Sequence, residues 1–219
     1  LYAERLRDSE FDAYSLIVNV LPKTLIYLKF GRNFNQNMFG LPRSLQQLEL
    51  SGIYDKEILN LPITLTHLVG IDKGFGPEEL PGSITHLAFH DSFNASIFGV
   101  KKWEDKWPRT LINLDLGNGF SNDIGHLPKY LTHLNLGKSY GFMTLSYGFG
   151  DGTSYNPDDL LRLPITLTHL MLGRYTESYI DLSYLINLID LWFGDNFNIP
   201  LDKFPPNLVQ LFLGEDYDE

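Results

Sequence analysis

Four of the six histidines stand inside a Thr-His-Leu phrase, at His67, His86, His133 and His169. Imidazole titrates near neutrality and is the commonest metal ligand, so this recurrence is the first place to look for chemistry. Placed on successive strands of one sheet, the four form two neighbouring pairs, His67 with His86 and His133 with His169, roughly 5 Å apart. Each pair offers only two ligands, and Asn113 and Asp115 between the pairs do not build a converging cage, so no metal is assigned. The Thr-His phrase is read instead as repeat consensus, a stacked row that suits strand pairing.

Other chemistry is supplied no better. Serines and aspartates are scattered without a nucleophile elbow, and no glycine-rich loop runs from a strand into a helix to cradle phosphate. The stretch Asp72-Lys73-Gly74-Phe75-Gly76 is too short for that task. With no cysteine there is no thiolate catalysis, no disulfide and no Cys-ligated zinc, and a cytoplasmic setting is favoured. The expectation is a non-enzymatic chain with no catalytic residue and no cofactor.

What positions the histidines is a repeat. The phrase Leu-Pro-x-x-Leu-x-x-Leu-x-Leu-Gly, clearest from Leu127 to Gly137, opens at Leu21, Leu41, Leu61, Leu80, Trp107, Leu127, Leu163, Tyr184 and Phe204. A period of about twenty residues is that of leucine-rich repeats. Counting the opening residue as position 0, position 7 is Leu in every repeat and position 9 is apolar, with the third repeat slipping by one to Ile71. Apolar residues at 7 and 9 with polar ones at 6 and 8 are the period-two mark of a half-buried strand, one per repeat in a parallel sheet.

The rest of each repeat returns the chain to the next strand. Proline at position 1 cannot donate to a ladder and marks entry from outside the sheet. Glycine at position 10 permits a sharp exit. An aromatic follows at position 13, as in Phe34, Tyr54, Phe93, Phe120, Tyr140, Phe197 and Tyr217, and these rings are expected to stack into a spine. Asn or Asp at position 14 suits backbone groups left open by the turn, and Asn94 there is expected to face inward, which discounts its glycosylation sequon. An aliphatic at position 17, such as Met38, Ile58 or Ile124, closes the core. Irregularity is expected in the third, seventh and eighth repeats, where Gly and Asn are lost, Thr176 replaces the aromatic, and Tyr184-Leu185 replaces Leu-Pro.

The phrases Gly194-Asp195-Asn196-Phe197-Asn198-Ile199-Pro200 and Gly31-Arg32-Asn33-Phe34-Asn35-Gln36, together with the leucine phrase, resemble the FNIP-repeat family of leucine-rich-repeat proteins, known from social amoebae and giant viruses of protists. The resemblance covers about residues 21 to 219. It implies a leucine-rich-repeat fold and a role in protein recognition, without a general enzymatic activity. Some viral members carry an F-box ahead of the repeats and resemble ubiquitin-ligase adaptors; residues 1 to 20 are too short for one, so such a segment would lie outside this chain. A viral member would work in the host cytoplasm.

The expected architecture is a curved leucine-rich-repeat solenoid of about nine repeats, with a parallel sheet on its concave face and little regular helix on the convex side. Residues 1–20 form a partial repeat or cap and 21–219 the repeat domain, with insertions near 99–106 and 139–159. A net charge of -10 opposes a nucleic-acid partner. The most apolar stretch, Leu16 to Leu21, is too short to span a membrane. A protein partner on the concave face is expected, at positions 6 and 8: His67, His86, Asn113, Asp115, His133, Asn135, His169, Met171, Asp190, Trp192, Gln210 and Phe212. The alternative is an assembly component forming homo-oligomers through the solenoid ends, where the ninth repeat leaves Leu208, Leu211 and Leu213 with no obvious cap.

Overall fold

The structure is a computed structural model that describes residues 21–36, 38, 40–52, 54, 56, 58, 60–72, 80–94, 107–121, 124, 127–140, 163–173, 181–195, 197–198 and 203–218. Nine strands form one parallel sheet in chain order: β1 (Tyr27–Phe30), β2 (Gln47–Leu50), β3 (His67–Ile71), β4 (His86–Phe89), β5 (Asn113–Asp115), β6 (His133–Asn135), β7 (His169–Leu172), β8 (Asp190–Phe193) and β9 (Gln210–Phe212). Among the described residues there is no helix. Apart from one slip at the end of β3, the pairings set like positions opposite each other, as in His67 against His86, Leu134 against Leu170 and Met171 against Trp192.

Repetition of the backbone bonds explains that register. The position-5 carbonyl of one repeat accepts the N–H groups of positions 5 and 6 of the next, as Gln46 O does from Thr66 and His67 and Ile112 O from Thr132 and His133. The position-1 carbonyl accepts the N–H of position 4 to close the entry turn, at Pro42 with Leu45 and at Pro128 with Leu131. Leu185 does the same with Leu188, so the eighth repeat keeps the turn without its proline and β8 pairs regularly, contrary to the irregularity expected there. Small polar side chains at position 3 tie each turn to the one before: the Thr64 hydroxyl reaches the Arg43 and Leu45 carbonyls, and the Asn207 amide donates to the Ile186 carbonyl.

The third repeat slips as its sequence indicates. Val69 pairs with Ala88 but Ile71 pairs with Phe89, and Gly70, at φ 85°, absorbs the extra residue. β5 and β6 are a residue shorter than most other strands for a different reason. Asp115 and Asn135 each accept the N–H of the glycine two residues on, Gly117 and Gly137, and so turn the chain out of the sheet early. At Gly137 the backbone has φ 79°, and a Cβ would stand 1.9 Å from the Gly117 carbonyl oxygen, so only glycine fits.

The core is the stack of inward positions. Leucines at position 7 are buried from β1 to β8, each worth roughly 1.5–3 kcal/mol of transfer free energy. Behind them the position-13 rings stack as expected, at centroid distances of 6.1 Å for Phe34 and Tyr54, 6.0 Å for Phe93 and Phe120, 6.1 Å for Phe120 and Tyr140, and 5.9 Å for Phe197 and Tyr217. Polar residues at position 14 bind the following repeat: Asn198 donates to the Asp218 carboxylate and accepts its N–H. Asn94 accepts from the Ser121 N–H and hydroxyl, yet it is exposed, not inward-facing as expected.

β9 departs from the rule. Leu211 and Leu213, in positions buried elsewhere, are 37% and 38% exposed. Phe75, Thr176, residues 1–20 and the insertions, apart from Ser139 and Tyr140, lie outside the described residues.

Candidate recognition surface on the open face of the sheet

Positions 6 and 8 point away from the core along the whole sheet, so the twelve residues expected to form a surface share one face. Their roles differ. The four histidines stack in pairs, with ring centroids 4.1 Å apart and planes 9° apart for His67 and His86, and 4.1 Å and 10° for His133 and His169. Asn113 separates the pairs.

The threonine before each histidine bridges a backbone carbonyl and the ring. Thr66, Thr85, Thr132 and Thr168 each donate their hydroxyl proton to a backbone carbonyl of the previous repeat, at 3.0–3.1 Å. Each hydroxyl oxygen also lies 2.8–2.9 Å from Nδ1 of its histidine. With its one proton given to the carbonyl, the hydroxyl accepts from the ring, and in that arrangement Nδ1 is the N–H. The Nε2 lone pairs of His67, His86 and His133 therefore face outward. Burial holds His86 and His133 below the ordinary histidine value, with His67 and His169 respectively adding to the shift.

At His169 the outward nitrogen is taken: Nε2 lies 2.8 Å from Asp190 Oδ2, so that contact holds a proton. Asp190 Oδ1 is buried and without a partner. Stacked rings with nearly parallel planes send their lone pairs out side by side, which makes acceptors in a row and not a chelate. Among the described residues no group of three metal-ligating side chains occurs.

Position 8 changes character along the sheet. At the β1–β2 end Glu49 accepts from Tyr27 and Lys29, and those bonds, Lys29 first, hold its carboxyl below the usual range. This cluster was not among the expected site residues, although Lys29 and Glu49 occupy matching positions of adjacent repeats. In the centre Asp115 and Asn135 have structural work as strand terminators, and the Asn135 amide donates to Asp115 Oδ2 at 3.0 Å. Toward the other end Trp192 stacks on Phe212 at 3.6 Å, with 43% and 37% of their surfaces exposed. Gln210, beside Asp190, is exposed on the last strand. An open cavity of about 400 Å³ lies between these groups, against Asn113, Asp115, His133, His169, Met171 and Trp192.

Comparison with known proteins agrees with the repeat. The sequence model of the FNIP Repeat family matches residues 11–51, beginning at Phe11-Asp12. No curated protein matches the chain. Among solved structures the chain is similar to CroV588, a giant-virus protein described as a novel circular LRR protein structure, with a TM-score of 0.59 and 26% identity over 91% of this chain. The chain spans 35% of that protein's length. FNIP and leucine-rich-repeat families are generally non-enzymatic repeat proteins. The leucine phrase, the all-parallel solenoid and these likenesses support an FNIP- or leucine-rich-repeat-type repeat protein.

Proposed function

We propose that the chain is a protein-recognition module whose concave sheet face takes the partner. The observation that carries this reading is the Trp192–Phe212 stack, a large aromatic surface left open beside the cavity and outside the core. Large exposed apolar groups of this kind mark interaction sites, and Trp is prominent among residues that dominate them. Rigid strands hold the surrounding polar groups, so the face is formed before the partner arrives. Capture of a partner from parent-cell lysate, followed by hydrogen exchange on the purified complex, tests the reading: protection on β5 to β9 supports it, and protection confined to the opposite side of the solenoid refutes it.

A second reading has its own observation. At β9 the core positions Leu211 and Leu213 are open, and the Val209 carbonyl stands where each earlier repeat receives two N–H groups from the next. Such an edge is completed by another turn of the same kind. Under this reading the chain assembles through its solenoid end. Sedimentation at several concentrations decides it: self-association that Leu211→Asp removes supports assembly, and a monomer at every concentration opposes it.

A further inference from the structure

We propose that the cavity at the centre of the concave face takes a positively charged side chain, an arginine or lysine of a protein partner. The inference rests on the concave face being the recognition surface and adds the chemistry of what it recognises.

Hydrogen-bond polarity makes the first argument. With the Thr132 hydroxyl proton on the Ile112 carbonyl, Nδ1 of His133 is the N–H and its other ring nitrogen is an acceptor. Asp115 is an acceptor too: each oxygen receives one N–H, from Gly117 and from the Asn135 amide, which leaves lone pairs on a rigidly held carboxylate. The Asn135 carbonyl oxygen is bonded to the Gly137 N–H. Apart from the Asn113 amide, which can donate or accept, the polar groups set here by neighbouring bonds are acceptors, and a partner has to bring donors to them.

Charge makes the second. Asp190 faces His169 and is not among the residues against the cavity, so Asp115 is the carboxylate that meets whatever enters it. Among the described residues no lysine or arginine lies against it, while Lys29 and Lys203 are bonded to Glu49 and Asp181. The net charge of the chain, -10, has the same sign. Burial and the neighbouring His169 lower the affinity of His133 for a proton, which keeps its lone pair available at neutral pH.

Shape makes the third. Trp192 forms one wall, held by Phe212 stacked on it at 3.6 Å. An aromatic face, a carboxylate and an imidazole lone pair around one open space suit a guanidinium or ammonium group, which gains from the ring quadrupole as well as from hydrogen bonds. An anionic group here would meet the Asp115 carboxylate with no lysine or arginine among the described lining residues to offset it.

The probe is a short blocked peptide, acetyl-Gly-Arg-Gly-amide, titrated into the isotope-labelled full chain beside its citrulline and glutamate counterparts. The expected result is saturable movement of the His133 ring and Trp192 indole signals with the arginine peptide. The citrulline peptide, isosteric but neutral, should bind about tenfold more weakly, as loss of a charged hydrogen-bond partner implies. Asp115→Asn, checked for a native spectrum, should remove the preference between the two. Equal response to citrulline, tighter binding of glutamate, or no movement of either signal with any peptide overturns the cation site. The two readings are separable: if Trp192→Ala abolishes capture of a purified partner while the peptides show no charge preference, the recognition face stands and the cation site falls.

Discussion

Nε2 of His169 and Oδ2 of Asp190 lie 2.8 Å apart, while the other ring nitrogen of His169 is bonded to the Thr168 hydroxyl. One histidine of the row thus spends both nitrogens within the chain, and the other three keep an outward lone pair. Nitrogen-detected NMR of the rings checks this. His67, His86 and His133 should show a protonated Nδ1 and a bare Nε2, and His169 a protonated Nε2 that becomes bare in Asp190→Asn, where an amide N–H replaces the acceptor. A bare Nδ1 at His67, His86 or His133 contradicts the role given to the threonines.

Stability should depend on pH through the row. Burial lowers the folded-state values of His86 and His133, helped by His67 and His169 respectively. A lowered folded value means that stabilisation is present above the unfolded midpoint near 6.5 and is lost as pH falls through it toward the folded value. His86 faces His67 and Asn113; His133 faces Asn113 and His169, with Asp190 beyond. The melting temperature should therefore drop between about pH 7.5 and about pH 5.5, a window above the lowered carboxylates Glu49 and Asp181. The double variant His86→Asn, His133→Asn should flatten the curve. An unchanged slope in that variant assigns the effect to other groups.

Register has a direct test in two adjacent residues. Leu134 is 2% exposed in the core, while His133 lies on the open face. Leu134→Ala should cost about 2–5 kcal/mol and His133→Ala no more than about 0.5 kcal/mol. Equal losses in denaturant unfolding would refute the inward and outward assignment.

Two glycines in the same repeat position should behave differently. Gly137 has φ 79° with a carbonyl oxygen where its Cβ would go, whereas Gly31 has open space there. Gly137→Ala should destabilise by more than about 2 kcal/mol, while Gly31→Ala should be near neutral or stabilising. A stable Gly137→Ala chain would show that the exit turn is less constrained than the backbone indicates.

Much of this fold is legible in sequence because it follows from patterns that recur. Leucine at position 7, apolar residues at 9 and the slip to Ile71 are set by a two-residue period, which burial enforces wherever one face of a strand is covered. The aromatic spine follows from one ring per turn of constant rise. Less legible were effects of single hydrogen bonds. Thr-His reads as consensus until the hydroxyl is seen to bridge a carbonyl and a ring, and that bridge sets the polarity of the face. Asp115 and Asn135 read as surface residues until their side chains are found ending strands. Asn94 read as inward from its place in the repeat, although position 14 binds the next repeat from the exposed side.

The central claim is that the concave face around Trp192 recognises a protein. It is tested most directly by the affinity of a purified, captured partner for three forms of the chain: wild type, Trp192→Ala, and Ile63→Ser at an 85%-exposed site on an entry turn away from the cavity. If the account is right, Trp192→Ala weakens binding by about thirtyfold or more with little change in melting temperature, and Ile63→Ser leaves affinity unchanged. Wild-type affinity in Trp192→Ala contradicts it.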